Sequence, residues 1–523
     1  MTLKNLPIGM STLSEIINNN YIYIDKTKFV AELATRGKYY FLSRPRRFGK
    51  TLFLDTLKQA FLGNKDIFKG LYLEHNWDWS VSYPVIHISF SSGEYKSVEM
   101  LNIKINEMFA THCQEHDLVL TNISISGKLD ELIFKLYHKY NKTRVVILVD
   151  EYDKPVLDSI ESTEIAMQMR DGLRELYSSI KANDQYIKLA FLTGVTKFTK
   201  AGVFSSLNNL DDITFNYKYA DVCGYTQNDI ETSFKDYLVG VDLAELKTWY
   251  NGYNFLGEDK QKVYNPFDIL LFINNDKQYK NYWFETGTPS FLIKLLQKKN
   301  YYLPNLEGLQ IGNDELASFD INNLSIEVLL LQSGYLTMKS ARVSGFNNMM
   351  RYTLDYPNFE VRQSLNGAIM SHLFANNIGY VSQNKYKMED ALQSTNFTQM
   401  KIILNSLLAE IPHDWFRNNN IGHYEGFYCS VIYTFFNAVG VFAIPEDNTS
   451  MGQIDLTLHL SDKIFIVEFK MLNSDNAINA LQQIKDKRYH EKYIAQNKPI
   501  YLIGMVFDEG KRNICEFAWE EVK

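Results

Sequence analysis

A chain of 523 residues with 46% hydrophobic content is too long for one core and holds enough apolar mass for two or three. A net charge of -7 excludes a protein that coats nucleic acid by bulk charge, since such binding sets many Lys and Arg against phosphates. Any nucleic-acid site must therefore be local. Cys113, Cys223, Cys429 and Cys515 are scattered, without a CxxC pair or a spaced His partner, so neither a disulfide framework nor a cysteine zinc site is indicated. The opening Met1-Thr2-Leu3-Lys4-Asn5-Leu6-Pro7 lacks a charged segment followed by an apolar stretch, and no run of about 18 apolar residues occurs. The expectation is a cytoplasmic protein without a membrane partner.

In chain order, residues 37–222 alternate short apolar runs with helical ones, among them Tyr39-Tyr40-Phe41-Leu42, Val85-Ile86-His87-Ile88, Val145-Val146-Ile147-Leu148-Val149 and Leu189-Ala190-Phe191-Leu192. Continuous apolar strands separated by helices predict a parallel sheet covered on both faces. Residues 225–385 read as mostly helical. Within them a helical run from Ile326 to Leu331 passes through Ser333-Gly334 into two β-type runs, around Tyr335 to Met338 and Tyr352 to Leu354, which suits a small winged-helix unit. From about 395 onward come helix, two alternating strands, helix and the apolar strand Ile500 to Val506. The predicted domains are 1–224, 225–390 and 391–523.

The first chemical signal follows the first strand. Arg44-Pro45-Arg46-Arg47-Phe48-Gly49-Lys50-Thr51 leads directly into the helical run Leu52 to Leu62, the context of a phosphate-binding loop. There the backbone N–H groups of Arg46, Arg47, Phe48 and Gly49 and the helix N-terminus would hold phosphate oxygens, Lys50 would reach the β/γ-phosphates, and Thr51 would help hold Mg²⁺. Arg44 stands where the usual first glycine would be, so this short match alone is no better than an ordinary basic loop. A second signal changes the balance: the apolar strand at 145–149 ends in Asp150-Glu151. Asp150 would orient Mg²⁺ and Glu151 would polarise the attacking water, at the carboxyl edge of the sheet where α/β proteins bind ligands. A third strand ends in Thr193-Gly194-Val195-Thr196, so Thr193 or Thr196 is a candidate γ-phosphate sensor or simply a strand cap. Arg44, Arg46 and Arg47 could clamp phosphate, act on a neighbouring copy in a homo-oligomer, or solvate the loop.

A second constellation lies near the C-terminus. Gly452-Gln453-Ile454-Asp455-Leu456 opens one strand and Ile464-Phe465-Ile466-Val467-Glu468-Phe469-Lys470 forms the next. A two-residue turn at Ser461-Asp462 sets Leu460 against Lys463 and, counting back, Asp455 against Glu468. The same count sets Ile454, Leu456 and Leu458 against Phe469, Val467 and Phe465, so the other face is apolar. Two adjacent carboxylates repel each other unless a hard cation intervenes, which implies Mg²⁺ or Mn²⁺. Lys470 shares the face of Glu468 and can position or deprotonate a water, completing a kit for metal-assisted phosphodiester hydrolysis. Glu425, in the preceding helical run, is a candidate third acid. Gln482, Gln483 and Tyr489 follow on a segment with Lys485, Lys487, Arg488 and Lys492, either a solvated face or a contact to a nucleic-acid backbone.

These motifs, together with Tyr23-Ile24-Asp25-Lys26-Thr27, Val149-Asp150-Glu151-Tyr152-Asp153-Lys154-Pro155, Trp249-Tyr250-Asn251-Gly252-Tyr253, Tyr264-Asn265-Pro266-Phe267 and Trp283-Phe284-Glu285-Thr286-Gly287, resemble the AAA-ATPase-like family of bacterial proteins that end in a PD-(D/E)XK nuclease-like domain. The resemblance spans nearly the whole chain, and an Arg44-type loop is usual there. It implies a P-loop NTPase parallel sheet, a helical or winged-helix middle region and a C-terminal restriction-endonuclease-like α/β domain. It implies ATP binding through Gly49, Lys50, Thr51 and Asp150, and nuclease chemistry through Asp455, Glu468 and Lys470 with Glu425. The expected function is ATP-controlled cleavage of nucleic acid, DNA foremost. The rival is an ATP-dependent switch whose nuclease-like domain binds nucleic acid or a partner without cutting.

Overall fold

The computed structural model describes residues 3–522 except 199–203, 205–206, 208, 256–261, 287–291, 294, 297–301, 317–324, 345–348, 375–377 and 412–424, and except the side chains of residues 313, 314, 378 and 425. The chain forms two compact units, Met1–Thr286 with Gly308–Asn358 and Gly287–Glu307 with Phe359–Lys523.

The first unit is built on β1 (Tyr39–Ser43), β2 (Val85–Ser89), β3 (Val145–Asp150), β4 (Ile187–Gly194) and β5 (Asp211–Asp212), in the order β2-β3-β4-β1-β5. All neighbours run parallel. Every residue of β1 and β3 is buried, as both-face coverage by helices requires. The helices Lys50–Phe61, Val98–Glu115, Ile125–Lys139 and Thr163–Ala182 supply that cover. Ser97 and Ser124 start two of them, their side chains accepting the N–H of Met100 and Gly127. Because β1 inserts beyond β4, the chain order reverses there and leaves a crevice at the carboxyl ends of β1, β4 and β3.

The same unit contains β6 (Tyr225–Thr226) paired with β7 (Val263–Tyr264), and the helices Gln227–Thr232, Leu243–Tyr250 and Pro266–Asn274. Ile22 and Ile24 from the N-terminal segment share a core with Ile230, Phe234, Leu246, Tyr250, Tyr264 and Ile269. The helix Ile326–Ser333 ends at Gly334, whose φ of 91° is left-handed, and leads into a small antiparallel sheet of β8 (Gln310–Gly312), β9 (Thr337–Val343) and β10 (Met350–Asp355), ordered β8-β10-β9.

In the second unit the helices Phe359–Leu373, Ile378–Gln393, Phe397–Glu410 and Glu425–Val439 precede β11 (Phe442–Thr449), β12 (Gly452–His459), β13 (Ile464–Met471), β14 (Ile500–Asp508) and β15 (Asn513–Glu521). These strands are neighbours in sequence order; β13 and β14 are parallel and the other pairs antiparallel. The helix Ala477–Asp486 makes the parallel crossover and packs Leu481 and Ile484 on Ile464, Ile466 and Leu502. It sits so close that a Cβ on Gly504 would lie 2.4 Å from the Ala477 carbonyl oxygen, which only glycine avoids. On the other face Tyr428 stacks on Phe507 at 4.5 Å, beside Phe469. Among the described residues no helix is long and apolar enough to cross a membrane.

Candidate functional site

The loop after β1 and the ends of β3 and β4 line one cleft. Gly49 takes a φ of 91°, a conformation that costs a side-chain-bearing residue energy, and so turns the loop into the helix Lys50–Phe61. Lys50 is buried, its Nζ donating to the carbonyls of Arg44 and Pro45 at 2.9 Å each. Burial lowers its pKa, against the attraction of Asp150. Thr51 Oγ1 donates to Asp150 Oδ2 at 2.7 Å, while Asp150 Oδ1 accepts the Glu151 N–H at 3.0 Å. Burial raises the pKa of Asp150, and burial together with the Asp150 charge raises that of Glu151. Glu151 holds a φ of 51°, outside the usual region for a non-glycine residue, and this backbone places it on the cleft wall.

That cleft has a volume of about 410 Å³, within the range of small-molecule sites, and is lined by Arg46, Arg47, Lys50, Thr51, Glu151 and Lys154 among others. Helix-terminal N–H groups and cations suit a polyphosphate, and the hydroxyl–carboxylate pair of Thr51 and Asp150 offers the hard oxygen donors that Mg²⁺ prefers. ATP with Mg²⁺ therefore fits the residues present.

Three residues of the sequence reading take definite places here. Thr193 is buried and its hydroxyl donates to the Leu42 carbonyl at 2.9 Å, so its side chain caps the sheet and does not reach into the cleft as a sensor. Phe48 turns its ring inward, 4.7 Å from that of Tyr253, leaving only its backbone to face a phosphate. Arg44 is no phosphate clamp: the residue is 1% exposed and its guanidinium donates to the carbonyls of Ser43, Thr214 and Tyr219 at 2.9, 2.8 and 3.0 Å. It also lies 3.9 Å from the centre of the Phe255 ring, and burial lowers its pKa to about 10. Arg46 and Arg47 are exposed and remain on the cleft, with Arg47 stacked over Phe267 at 5.2 Å.

Other wall residues were not singled out from sequence: Pro7, Gly9, Met10 and Ser11, Ser91, Lys154, and Tyr225 with Pro266 and Phe267. The Asn265-Pro266 turn, where Asn265 caps a helix by accepting the Phe267 N–H, was the one local signal. Asp153 was also missed. Buried, it accepts the N–H groups of Val195 and Thr196 and the Thr196 hydroxyl, locking the turn after β4, so Thr196 too is spent on structure.

The second constellation stands on β12 and β13. Their register pairs Leu456 with Val467 and Leu458 with Phe465, which puts Asp455 level with Glu468, as the turn count requires. Asp455 Oδ2 accepts the Phe469 N–H at 2.7 Å, and Lys470 Nζ donates to Glu468 Oε1 at 3.0 Å. Gln483, on the crossover helix, donates to the same oxygen of Glu468. The β11–β12 register adds an acid that sequence reading missed: pairs on either side bracket Glu446 against Asp455. Burial raises the Asp455 pKa; the Phe469 N–H and Lys470 oppose this, and the Glu446 charge adds to it. Carboxylates at one level of three adjacent strands are oxygen donors of the kind that Mg²⁺ or Mn²⁺ takes, although the three are not all within 4.8 Å of one another. A second hairpin count, through the turn between Thr449 and Gly452, would have found Glu446.

Glu425 begins the helix Glu425–Val439, but its side chain lies outside the described residues. The cations after Gln483 are partly committed: Lys485 pairs with Glu520 and Lys492 with Asp447. Lys487 and Arg488 are exposed.

The parallel sheet with its phosphate-loop cleft and the mixed sheet with its acid-and-lysine cluster together define a P-loop ATPase-like protein that carries a nuclease-like domain. Comparison with known proteins agrees. A family model described as predicted AAA-ATPase matches residues 7–204, and one for the PD-(D/E)XK nuclease superfamily matches residues 423–517. A protein of Azotobacter chroococcum mcd 1, described as an uncharacterized protein in the vnfD 5′ region, is 42% identical over 523 residues and is covered over 100% of both chains. No solved structure matches. The chain belongs to the AAA-ATPase-like family and carries a C-terminal PD-(D/E)XK nuclease superfamily domain.

Proposed function

We propose that the protein hydrolyses ATP in its first unit and, under control of that nucleotide, hydrolyses phosphodiester bonds of nucleic acid, DNA foremost, in its second. The carrying observation is the register that levels Asp455 with Glu468 while Lys470 lies 3.0 Å from Glu468. An arrangement that crowds like charges on one face and keeps a lysine beside them has a chemical purpose once a cation is bound.

At the second site Asp455 and Glu468 hold the ion, with Glu446 as a further oxygen donor. A bound Mg²⁺ or Mn²⁺ supplies Lewis-acid polarisation of the phosphate and lowers the pKa of water. Lys470, ion-paired with Glu468, would orient the attacking water, and Gln483 fixes the Glu468 carboxylate. At the first site Arg46, Arg47 and Lys50 neutralise phosphate charge, Thr51 and Asp150 hold the magnesium, and Glu151 takes a proton from the water that attacks the γ-phosphate.

The rival reading, a nucleotide switch without appreciable turnover, draws support from Thr193 and Thr196, whose hydroxyls are bonded to Leu42 and Asp153 and do not sense the γ-phosphate. The deciding experiment measures Mg²⁺-dependent cleavage of single- and double-stranded DNA and of RNA, with and without ATP, alongside ATP turnover, for wild type, Lys50→Ala and Asp455→Ala. The proposal expects cleavage by wild type only, stimulated by ATP. Binding of both ligands without turnover or cleavage favours the switch.

A further inference from the structure

Outside both sites, His112, Glu115 and His116 come together at the C-terminal end of the helix Val98–Glu115, each offering a ligand atom within 4.8 Å of the others. Positions i, i+3 and i+4 share a helix face, so the spacing itself gathers them. We propose that they bind a divalent ion of the zinc class, a site independent of the ATPase and nuclease reading.

The surroundings of each imidazole are those of a metal ligand. His112 is buried; its Nε2 lies 3.0 Å from the His87 carbonyl oxygen and 3.1 Å from the His87 nitrogen, so the His87 backbone holds that side of the ring and Nδ1 faces Glu115, whose carboxylate is 3.2 Å away. His116 Nδ1 lies 2.9 Å from the Tyr140 hydroxyl, which leaves Nε2 as its ligand atom. A ligand histidine whose far nitrogen is held by backbone or by a hydroxyl has its ring orientation set in advance. Two imidazoles and one carboxylate favour Zn²⁺ over Mg²⁺, with water completing the shell. Lys139, the nearby cation, donates to the carbonyls of His116 and Asp117 and so points at the helix end, not at the ligands. The ion would tie the helix end to β2 through His87 and to Tyr140, just past the helix Ile125–Lys139.

The test uses the full chain, stripped of metal, carrying Asp455→Asn and Glu468→Gln so that the acidic cluster does not contribute. It is titrated with Zn²⁺, Co²⁺ and Mg²⁺ and followed by calorimetry, by the visible absorption of Co²⁺ and by the thermal midpoint. Expected are one zinc equivalent, a Co²⁺ band, a rise in Tm with zinc and no comparable binding of Mg²⁺. Glu115→Gln weakens zinc by at least about tenfold, and His116→Ala abolishes the band and the Tm rise. Absence of zinc binding, or equal affinity in the parent and in Glu115→Gln, whose side chain is exposed and not needed for folding, overturns the proposal.

Discussion

Thr51 and Asp150, 99 residues apart, meet through a 2.7 Å hydrogen bond. The helix behind β1 and the tip of β3 are thereby pinned at one point of the cleft, with the sheet holding the two ends in place. If this point holds the nucleotide-bound magnesium, Thr51→Ala should lower ATP turnover by roughly 10- to 100-fold while the fold survives. Lys50→Ala should cost more, about 100-fold or beyond, because it removes the cation nearest the transferred phosphate. Steady-state phosphate release, with circular dichroism as the control for folding, checks both.

Glu151 supplies a pH test. Burial and the Asp150 charge raise its pKa, so it stays protonated to a higher pH than an ordinary glutamate. A base is useful only when deprotonated, so ATP turnover should fall on acidification at a pH above the usual carboxylate range. Glu151→Gln should retain ATP binding, lose at least about 100-fold in turnover and show no such acid limb. A variant with near wild-type turnover and the same pH profile would remove Glu151 from the chemistry.

Arg44→Gly would restore the residue that phosphate loops commonly carry, yet it should harm the protein. The substitution strips three carbonyls of their donor and opens a cavity under Phe255. A loss of about 3 kcal/mol or more in unfolding free energy is expected, read from urea denaturation. An unchanged denaturation midpoint would mean that the buried guanidinium is dispensable.

If Asp455 holds the ion, it links metal binding to stability. Its pKa is raised by burial, so without metal the folded chain holds this proton more tightly than the unfolded chain does. That contribution to stability is complete below the ordinary Asp pKa and is lost as pH rises through the raised value. Scans of Tm between about pH 4 and pH 8 should show metal-free protein losing stability in this window, and Mg²⁺ giving a larger gain at the alkaline end. Asp455→Asn should flatten both trends and reduce cleavage to background.

What could be read from sequence depended on how far apart the interacting residues lie. The β12–β13 hairpin was fully legible: alternation of apolar residues and a two-residue turn together fix a register, and the register fixes the acids. Gly49, Lys50, Thr51 and Asp150 were legible because each ends a continuous apolar strand or opens the helix behind one. Arg44, open among a phosphate clamp, a contact to a neighbouring copy and loop solvation, takes none of these roles, because its acceptors, the carbonyls of Thr214 and Tyr219, have no signature in the side-chain pattern. Thr193, open between sensor and strand cap, proves to be the cap, which sequence could not decide because the Leu42 carbonyl that claims it belongs to a neighbouring strand. Glu446 was open to a second hairpin count. The wall formed by residues 7–11 and 266–267 depends on tertiary packing that no local period encodes.

The buried Arg44 has a consequence for dissecting the molecule. Its acceptors at 214 and 219 and its ring partner at 255 lie beyond residue 204, where the ATPase-type match stops. The indole of Trp283 donates to the Arg46 carbonyl at 3.1 Å, and a Cβ on Gly334 would lie 2.7 Å from the Pro45 ring. The loop between β1 and the helix Lys50–Phe61 is thus stitched into later chain on both its flanks. A fragment cut at the end of the matched region would lose those stitches and inherit a slack loop, and its failure to turn over nucleotide would say nothing about the intact chain.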